Sequence, residues 1–298
     1  MKLLVQPDDG VAPLLKAIDG ARLSLDLYIF RLAYPKVEEA LAEAVARGVT
    51  VRTLIAHTNS GGEEGLRKLE SRLLGLGATV SRTDEDLLRY HGKMMIVDQT
   101  TLYVLGYNFT RRDIDKSRSL GLATREDSLV AEATRLFEAD FDRKVYTPGH
   151  DRFIVSPLNS RASLVTFIEA ARHQLLIYDS RLTDNMIQRV IEKRALAGVE
   201  VRVIGKLEKD LQQVLVEPYP GDRLHVRAMV RDGRHAFIGS QSMRRAELDR
   251  RREIGVMVDD KRTVREIAAI FEADWARTRS GKRGATRAKR GRVAARSR

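Results

Sequence analysis

The chain has 298 residues, 43% hydrophobic and 32% charged, and no cysteine, which excludes disulfides and thiolate metal sites. Its formal charge of +12 is unevenly spread: ten of the 53 Lys/Arg fall between Arg277 and Arg298, where there is no Asp or Glu, leaving 43 basic against 41 acidic residues before them. The body is nearly neutral, so a polyanion-binding signal is confined to the C-terminal end.

Residues 1–10 hold one Lys and a single run of three apolar residues, too little for a signal peptide. Apolar runs such as 102–105 and 175–178 are far shorter than the roughly 20 residues that cross a bilayer. The expectation is a cytoplasmic protein without an integral membrane segment, able to attach peripherally to a membrane. Leu23, Leu25, Leu27 and Ile29 alternate with Ser24, Asp26, Tyr28 and Phe30, which predicts a strand covered on both faces. After Pro35, the positions Val37, Ala40, Leu41, Ala44 and Val45 share one helical face, and Gly48 stops that helix. A strand over 49–56, a helix over 63–76 and a strand over 78–82 follow. This alternation predicts a mostly parallel sheet with helices on its faces.

The second half repeats the plan: strands over 174–180 and 199–206 flank a helix over 184–196 that ends at Gly198. Gly48-Val-Thr-Val-Arg52 matches Gly198-Val-Glu-Val-Arg202 at an offset of 150. Further on the offset is 134, linking His91 to His225, Asp98 to Asp232, Gly121 to Gly255, and Phe137-Glu-Ala-Asp140 to Phe271-Glu-Ala-Asp274. An internal duplication explains both registers, with about 16 residues lost from the second copy near the helix at 63–76. The expected fold is α/β: two duplicated α-β-α halves with mixed, mostly parallel sheets forming one bilobal unit. The halves are expected at 1–146 and 147–277. Residues 278–298 are expected to be a disordered basic tail, either a solubilising extension or a tether to an anionic membrane surface or nucleic acid, each basic side chain near a membrane adding about 1 kcal/mol.

The chemistry sits in the repeat. His91-x-Lys93 and His225-x-Arg227 place an imidazole and a cation two apart, on one side of an extended strand. If the halves meet at these strands, two imidazoles and two fixed charges surround one cavity. That suits a phosphodiester, with the cations on the non-bridging oxygens, one imidazole attacking phosphorus and the other protonating the departing oxygen. No metal or other cofactor is required. His57 ends a strand that could face the cleft, whereas His150, His173 and His235 read as surface or capping residues, and Asp84-Glu85-Asp86 as a solvated loop.

These residues resemble the phospholipase D superfamily, whose motif runs His-x-Lys-x4-Asp-x6-Gly-Ser-x-Asn, over residues 1 to about 277. The first copy has His91, Lys93, Asp98 and Asn108, with Leu105-Gly106 in place of Gly-Ser. The second has His225, Asp232, Gly239 and Ser240, with Arg227 for Lys and Ser242 for Asn. The chain is most similar to the bacterial branch of phosphatidylserine, phosphatidylglycerophosphate and cardiolipin synthase-like proteins. The resemblance implies His91, Lys93, His225 and Arg227 as catalytic residues, Asn108, Ser240 and Ser242 as substrate ligands, and Asp98 and Asp232 as structural supports. It further implies a covalent phosphohistidine that passes its phosphoryl group to water or another alcohol. Many members carry, at a fixed distance beyond the motif His, a Glu that orients the imidazole. Here that position is Glu253 after His225 but Ser119 after His91, with Asp115 and Asp249, slightly nearer their histidines, as potential substitutes. His91 is favoured as nucleophile because its motif keeps both Lys93 and Asn108. The leading expectation is a phosphodiesterase or phosphatidyltransferase acting on phospholipid. The alternatives are a metal-independent nuclease of the same superfamily, and a non-catalytic phosphate-binding module suggested by Arg227 and Ser242.

Overall fold

Along the first half, a computed structural model, which describes residues 1–59 and 61–283, runs β1 (Lys2–Gln6), α1 (Ala12–Gly20), β2 (Ser24–Ile29), β3 (Leu32–Ala33), α2 (Pro35–Ala46), β4 (Thr50–Ile55), α3 (Gly62–Gly75), β5 (Thr79–Arg82), β6 (Arg89–Tyr90), β7 (Met94–Val97), β8 (Thr101–Leu105), β9 (Phe109–Thr110), α4 (Arg111–Asp115), β10 (Ser119–Thr124) and α5 (Asp127–Phe141). The second half follows as β11 (Phe153–Val155), α6 (Ser160–Glu169), β12 (Gln174–Leu182), α7 (Asn185–Leu196), β13 (Glu200–Leu207), β14 (Val214–Glu217), β15 (Arg227–Arg231), β16 (His235–Gly239), α8 (Arg245–Asp249), β17 (Arg251–Arg252), β18 (Ile254–Val258) and α9 (Lys261–Ala276).

Two seven-stranded sheets have the same layout, β1-β10-β8-β7-β2-β4-β5 and β11-β18-β16-β15-β12-β13-β14. They are mixed, as expected, but the parallel pairing is confined to β2-β4-β5 and β12-β13-β14; every other pair within them is antiparallel. For β7-β8 and β15-β16 the reason is local: each His motif opens a tight hairpin, whose strands pair antiparallel. Pro35 sits at the first turn of α2, where its missing N–H costs nothing, and the positive φ of Gly48 (+87°) and Gly198 (+91°) ends α2 and α7 alike. The helix α3 has no counterpart, since β13 leads to β14 through residues 208–213. The expected disordered tail is corrected at its start: residues 279–283 form a helical turn, and Ser280 donates to Glu217 at 2.5 Å. Residues 284–298 of that expectation lie outside the described residues.

Alternation on β2 sends Leu25, Leu27 and Ile29 to an outer cluster with α1, α2 and α3, and Tyr28 to a central cluster shared by both halves. On β12, Leu175 and Ile177 face α6 and α7, while Leu176 and Tyr178 face the centre. The central layer holds α5 and α9, with Phe137 and Phe271 fully buried there. The repeated Phe-Glu-Ala-Asp thus has a second use. Asp140 accepts the Tyr28 hydroxyl (3.2 Å) and pairs with Arg252 of the other half (3.0 Å). Asp274 accepts the Tyr178 hydroxyl (2.7 Å) and pairs with Arg118 of the first half (3.1 Å). Both carboxylates are buried, so loss of either arginine would strand a charge in the core.

Candidate active site

The halves join where their motifs begin. Strand β6 pairs with β17, matching Tyr90 to Arg252, and an isolated bridge matches Arg118 to Leu224. Each pairing holds the residue just before a motif histidine against the opposite half.

His91 therefore meets a residue of the second half. Its Nδ1 lies 3.0 Å from each carboxylate oxygen of Glu253, a residue with no exposed surface. The support position that follows the second histidine in the chain thus serves the first. The matching residue of the other half, Ser119, lies beside His225, with its hydroxyl 3.4 Å from Nδ1 and donating to the His225 carbonyl at 3.1 Å. A carboxylate of Asp113 stands 3.7 Å from the same Nδ1.

The two cations are held alike. Lys93 Nζ donates to the His91 carbonyl at 2.5 Å and lies 3.0 and 3.2 Å from the ring nitrogens of His91. Arg227 Nη1 donates to the His225 carbonyl at 3.0 Å. The Nε groups of Arg227, Arg89, Arg244 and Arg251 are buried with no partner among the described residues. Buried donors without acceptors cost free energy unless an anion meets them. The fields overlap: after burial, the positive charges of Lys93, Arg227, Arg251 and Arg89 hold His91 well below the usual imidazole pKa. Burial, and then Arg227, lowers His225 in the same way, opposed by Asp113. Burial brings Lys93 down to about 7 and pushes Glu253 up to about 7. The site is buried and crowded with basic side chains, an environment that favours the neutral form of both imidazoles.

The remaining expected residues take varied positions. Asn108 donates from both its backbone and its amide to Asp113, at 3.1 and 2.8 Å, and its Oδ1 is buried without a partner. Ser242 donates its hydroxyl to Asp179 at 2.5 Å and its backbone N–H to Glu247 at 2.8 Å, so that hydroxyl hydrogen is already committed. Ser240 is buried, bonds Ile254 N–H at 3.1 Å and also hydrogen-bonds Glu253, which counteracts the upward push of burial there. Asp98 and Asp232 are outside the cleft. Each caps the start of a central strand by accepting backbone N–H groups, from Arg22, Leu23 and Ser24 or from Arg172, His173 and Gln174, at 2.7–3.2 Å. Neither Asp115 nor Asp249 reaches a motif histidine: Asp115 accepts from Tyr34 (3.2 Å) and Asp249 from Arg161 (2.8 Å). His57 bonds Thr83 at 3.1 Å and stands edge-on to Tyr90, with ring centroids 6.0 Å apart.

Sequence reasoning passed over Asp113, Arg223, Arg89, Arg251 and Phe30. The repeat register carried a signal for three of them, because Asp113 matches Glu247 and Arg89 matches Arg223. Arg223 pairs with Asp113 and also donates to Ser117 at 2.8 Å. Phe30 had no such signal; its ring stands edge-on to His91, centroids 4.6 Å apart, beneath Arg89 and Lys93.

The family model described as "Cardiolipin synthase, PLD-like domain" matches residues 14–141 and 164–275, one segment per half. Among curated proteins, the human mitochondrial cardiolipin hydrolase is 31% identical over 171 residues, covering 57% of this chain and 64% of that protein. The mouse mitochondrial cardiolipin hydrolase is 30% identical over 143 residues, 47% of this chain and 60% of its own. The chain thus spans less than two thirds of these relatives. Two solved structures share the fold: phosphatidylserine synthase of Haemophilus influenzae (TM-score 0.63, 12% identity, 93% of this chain and 85% of that one) and polyphosphate kinase of Porphyromonas gingivalis (TM-score 0.74, 21% identity, 91% and 49%). With the family model matching most of both halves, the chain belongs to the phospholipase D superfamily, in its cardiolipin synthase-like family.

Proposed function

We propose that the protein is a phosphodiesterase or phosphatidyltransferase acting on phospholipids through a phosphohistidine on His91. The observation that carries this reading is the contact of His91 Nδ1 with Glu253 across the two halves. A carboxylate on Nδ1 fixes the tautomer that leaves Nε2 with its lone pair free to attack phosphorus. In the first step a bond forms between Nε2 and phosphorus, the bond from phosphorus to one ester oxygen breaks, and His225 gives a proton to that oxygen. In the second step water or an alcohol attacks phosphorus, returns a proton to His225 and releases His91. Lys93 and Arg227 offset the charge on the non-bridging oxygens. Burial and Arg227 disfavour the protonated form of His225, and an arriving phosphate, with Asp113 on the Nδ1 side of the ring, would favour the protonated form the step needs.

A phospholipid substrate is supported by the curated relatives, whose names specify cardiolipin. No described helix is long and apolar enough to cross a membrane. The test is hydrolysis of cardiolipin, phosphatidylglycerol and phosphatidylcholine vesicles, with single-stranded DNA in parallel, all in EDTA. Lipid turnover is expected to fall by about 10³-fold or more in both His91→Ala and His225→Ala. A requirement for added divalent ions, or survival of activity in either variant, overturns the mechanism; cleavage of DNA alone makes the protein a nuclease.

A further inference from the structure

The two histidines have lost their symmetry at the support position. The duplication sets Ser119 opposite Glu253, both fully buried, but a hydroxyl carries no charge to balance an imidazolium. The single hydroxyl hydrogen of Ser119 goes to the His225 carbonyl at 3.1 Å, so toward Nδ1, 3.4 Å away, the oxygen can only accept. Asp113 and Glu247 are also in register, and there the halves differ in the reverse sense. Glu247 is taken up by Arg244 and by Arg251, whereas Oδ2 of Asp113 stands 3.7 Å from His225 Nδ1.

That carboxylate is built into place. The Asp113 N–H is held by the Thr110 hydroxyl at 3.2 Å. Its Oδ1 accepts from Arg223, two residues before His225, and its Oδ2 accepts from the Asn108 backbone at 3.1 Å and the Asn108 amide at 2.8 Å. Burial pushes the Asp113 carboxyl up, but the charge of His225 and the bonds from Arg223 and Asn108 outweigh it and hold the group well below the usual carboxylate range. It stays an anion and can only accept. Asn108 is fixed by the same contacts, because turning its amide over would set Oδ1 against the carboxylate. Its nitrogen therefore belongs to Asp113, and the atom left without a partner among the described residues is Oδ1, which has nothing to donate to a phosphate.

Resting on the proposed reaction, we propose that Asp113 is the positioning residue of His225, standing in for the absent glutamate, and that Asn108 serves Asp113 rather than the phosphate. The two acceptors beside Nδ1 keep a proton on that nitrogen, which leaves Nε2 to give a proton to the departing alcohol and to take one from the incoming water. No proton moves to Asp113. At 3.7 Å the contact is longer than a hydrogen bond, and it closes when His225 becomes charged in the reacting complex. Asp113 thus matters most where a basic alkoxide must be protonated as it leaves, and least where the departing oxygen is already a stable anion.

The experiment follows a single turnover of phosphatidylmethanol and of phosphatidyl-p-nitrophenol, which share one diacyl anchor and differ in the basicity of the departing oxygen. The full chain is compared with Asp113→Asn, Asn108→Ala and the double variant Asp113→Asn/Ser119→Glu. Asp113→Asn should slow methanol release by about 10²-fold and nitrophenol release by less than about 5-fold, and Ser119→Glu on that background should recover at least about 10-fold of the methanol rate. Equal losses on the two lipids in Asp113→Asn, no loss and complete inactivity included, or a double variant no faster than Asp113→Asn, overturn the proposal. Asn108→Ala should slow methanol release about 10-fold with nitrophenol release nearly unchanged; an equal loss on both lipids would return Asn108 to the phosphate. Failure of the parent reading looks different: the unaltered protein would release neither alcohol, or His225→Ala would slow both releases alike.

Discussion

His91 and His225 descend from one repeated motif but stand in different surroundings. His91 has a carboxylate at 3.0 Å, supported by Ser240, and an aromatic ring against its face. His225 has a hydroxyl at 3.4 Å and a carboxylate farther off at 3.7 Å. The exchange is correlated. Where the second half carries Ser240 and Glu253, the first carries Gly106 and Ser119, and Glu253 and Ser119 each lie against the opposite histidine. A duplicated site can thereby separate its roles as proposed: the imidazole fixed most firmly suits attack on phosphorus, and the one with looser support suits proton exchange with an alcohol.

The largest effect that could break this comparison is at the two support positions. Glu253→Gln should lower kcat by about 10²-fold, because the amide no longer holds the correct tautomer of His91, whereas Ser119→Ala should cost less than about 5-fold. Single-turnover kinetics on a soluble diester provide the comparison; equal losses, or a larger one at Ser119, would transfer the nucleophile's role to His225.

The cations offer a second contrast. Arg227→Ala should reduce kcat/KM by about 10²-fold and Arg227→Lys by about 10-fold, since lysine restores charge without the two-pronged donor geometry. Equal activity in all three proteins would show that the second cation is idle, leaving a site served by Lys93 alone.

The smallest effect concerns stability. Glu253 is held above its ordinary value, at about 7, so its folded form binds a proton more tightly than its unfolded form does. Its favourable contribution is therefore greatest below about pH 4.5 and is lost as pH rises through about 7. Stability of the unaltered protein relative to Glu253→Gln should decline over that window by an amount on the order of 1–3 kcal/mol, levelling off above it. Denaturant titrations at pH 4.5, 6 and 8 would read the slope. A flat difference would mean that the carboxylate is not under the strain of burial, and that its place beside His91 costs nothing.

Much of this protein is legible in its residues. The 150 and 134 offsets, the alternation over 23–30, the glycine stops at Gly48 and Gly198, and the motif residues His91, Lys93, His225 and Arg227 follow from local periodicity and spacing, which are properties of short segments. The supporting roles of Asp98 and Asp232 are implied by the family resemblance, and the structure shows each capping the start of a strand that its own half supplies. What depended on the tertiary structure is every relation between the halves. Glu253 follows His225 in the chain, within the same half, and yet holds His91, because β6 pairs with β17 and brings the two copies together head to head. Asp115 and Asp249 have suitable spacing but lie with Tyr34 and Arg161, while Asp113, two residues earlier, turns toward His225. Spacing along a chain determines which side chains share a face of one element; which faces then meet is decided by the burial of apolar surface between elements, and that is a property of the whole fold.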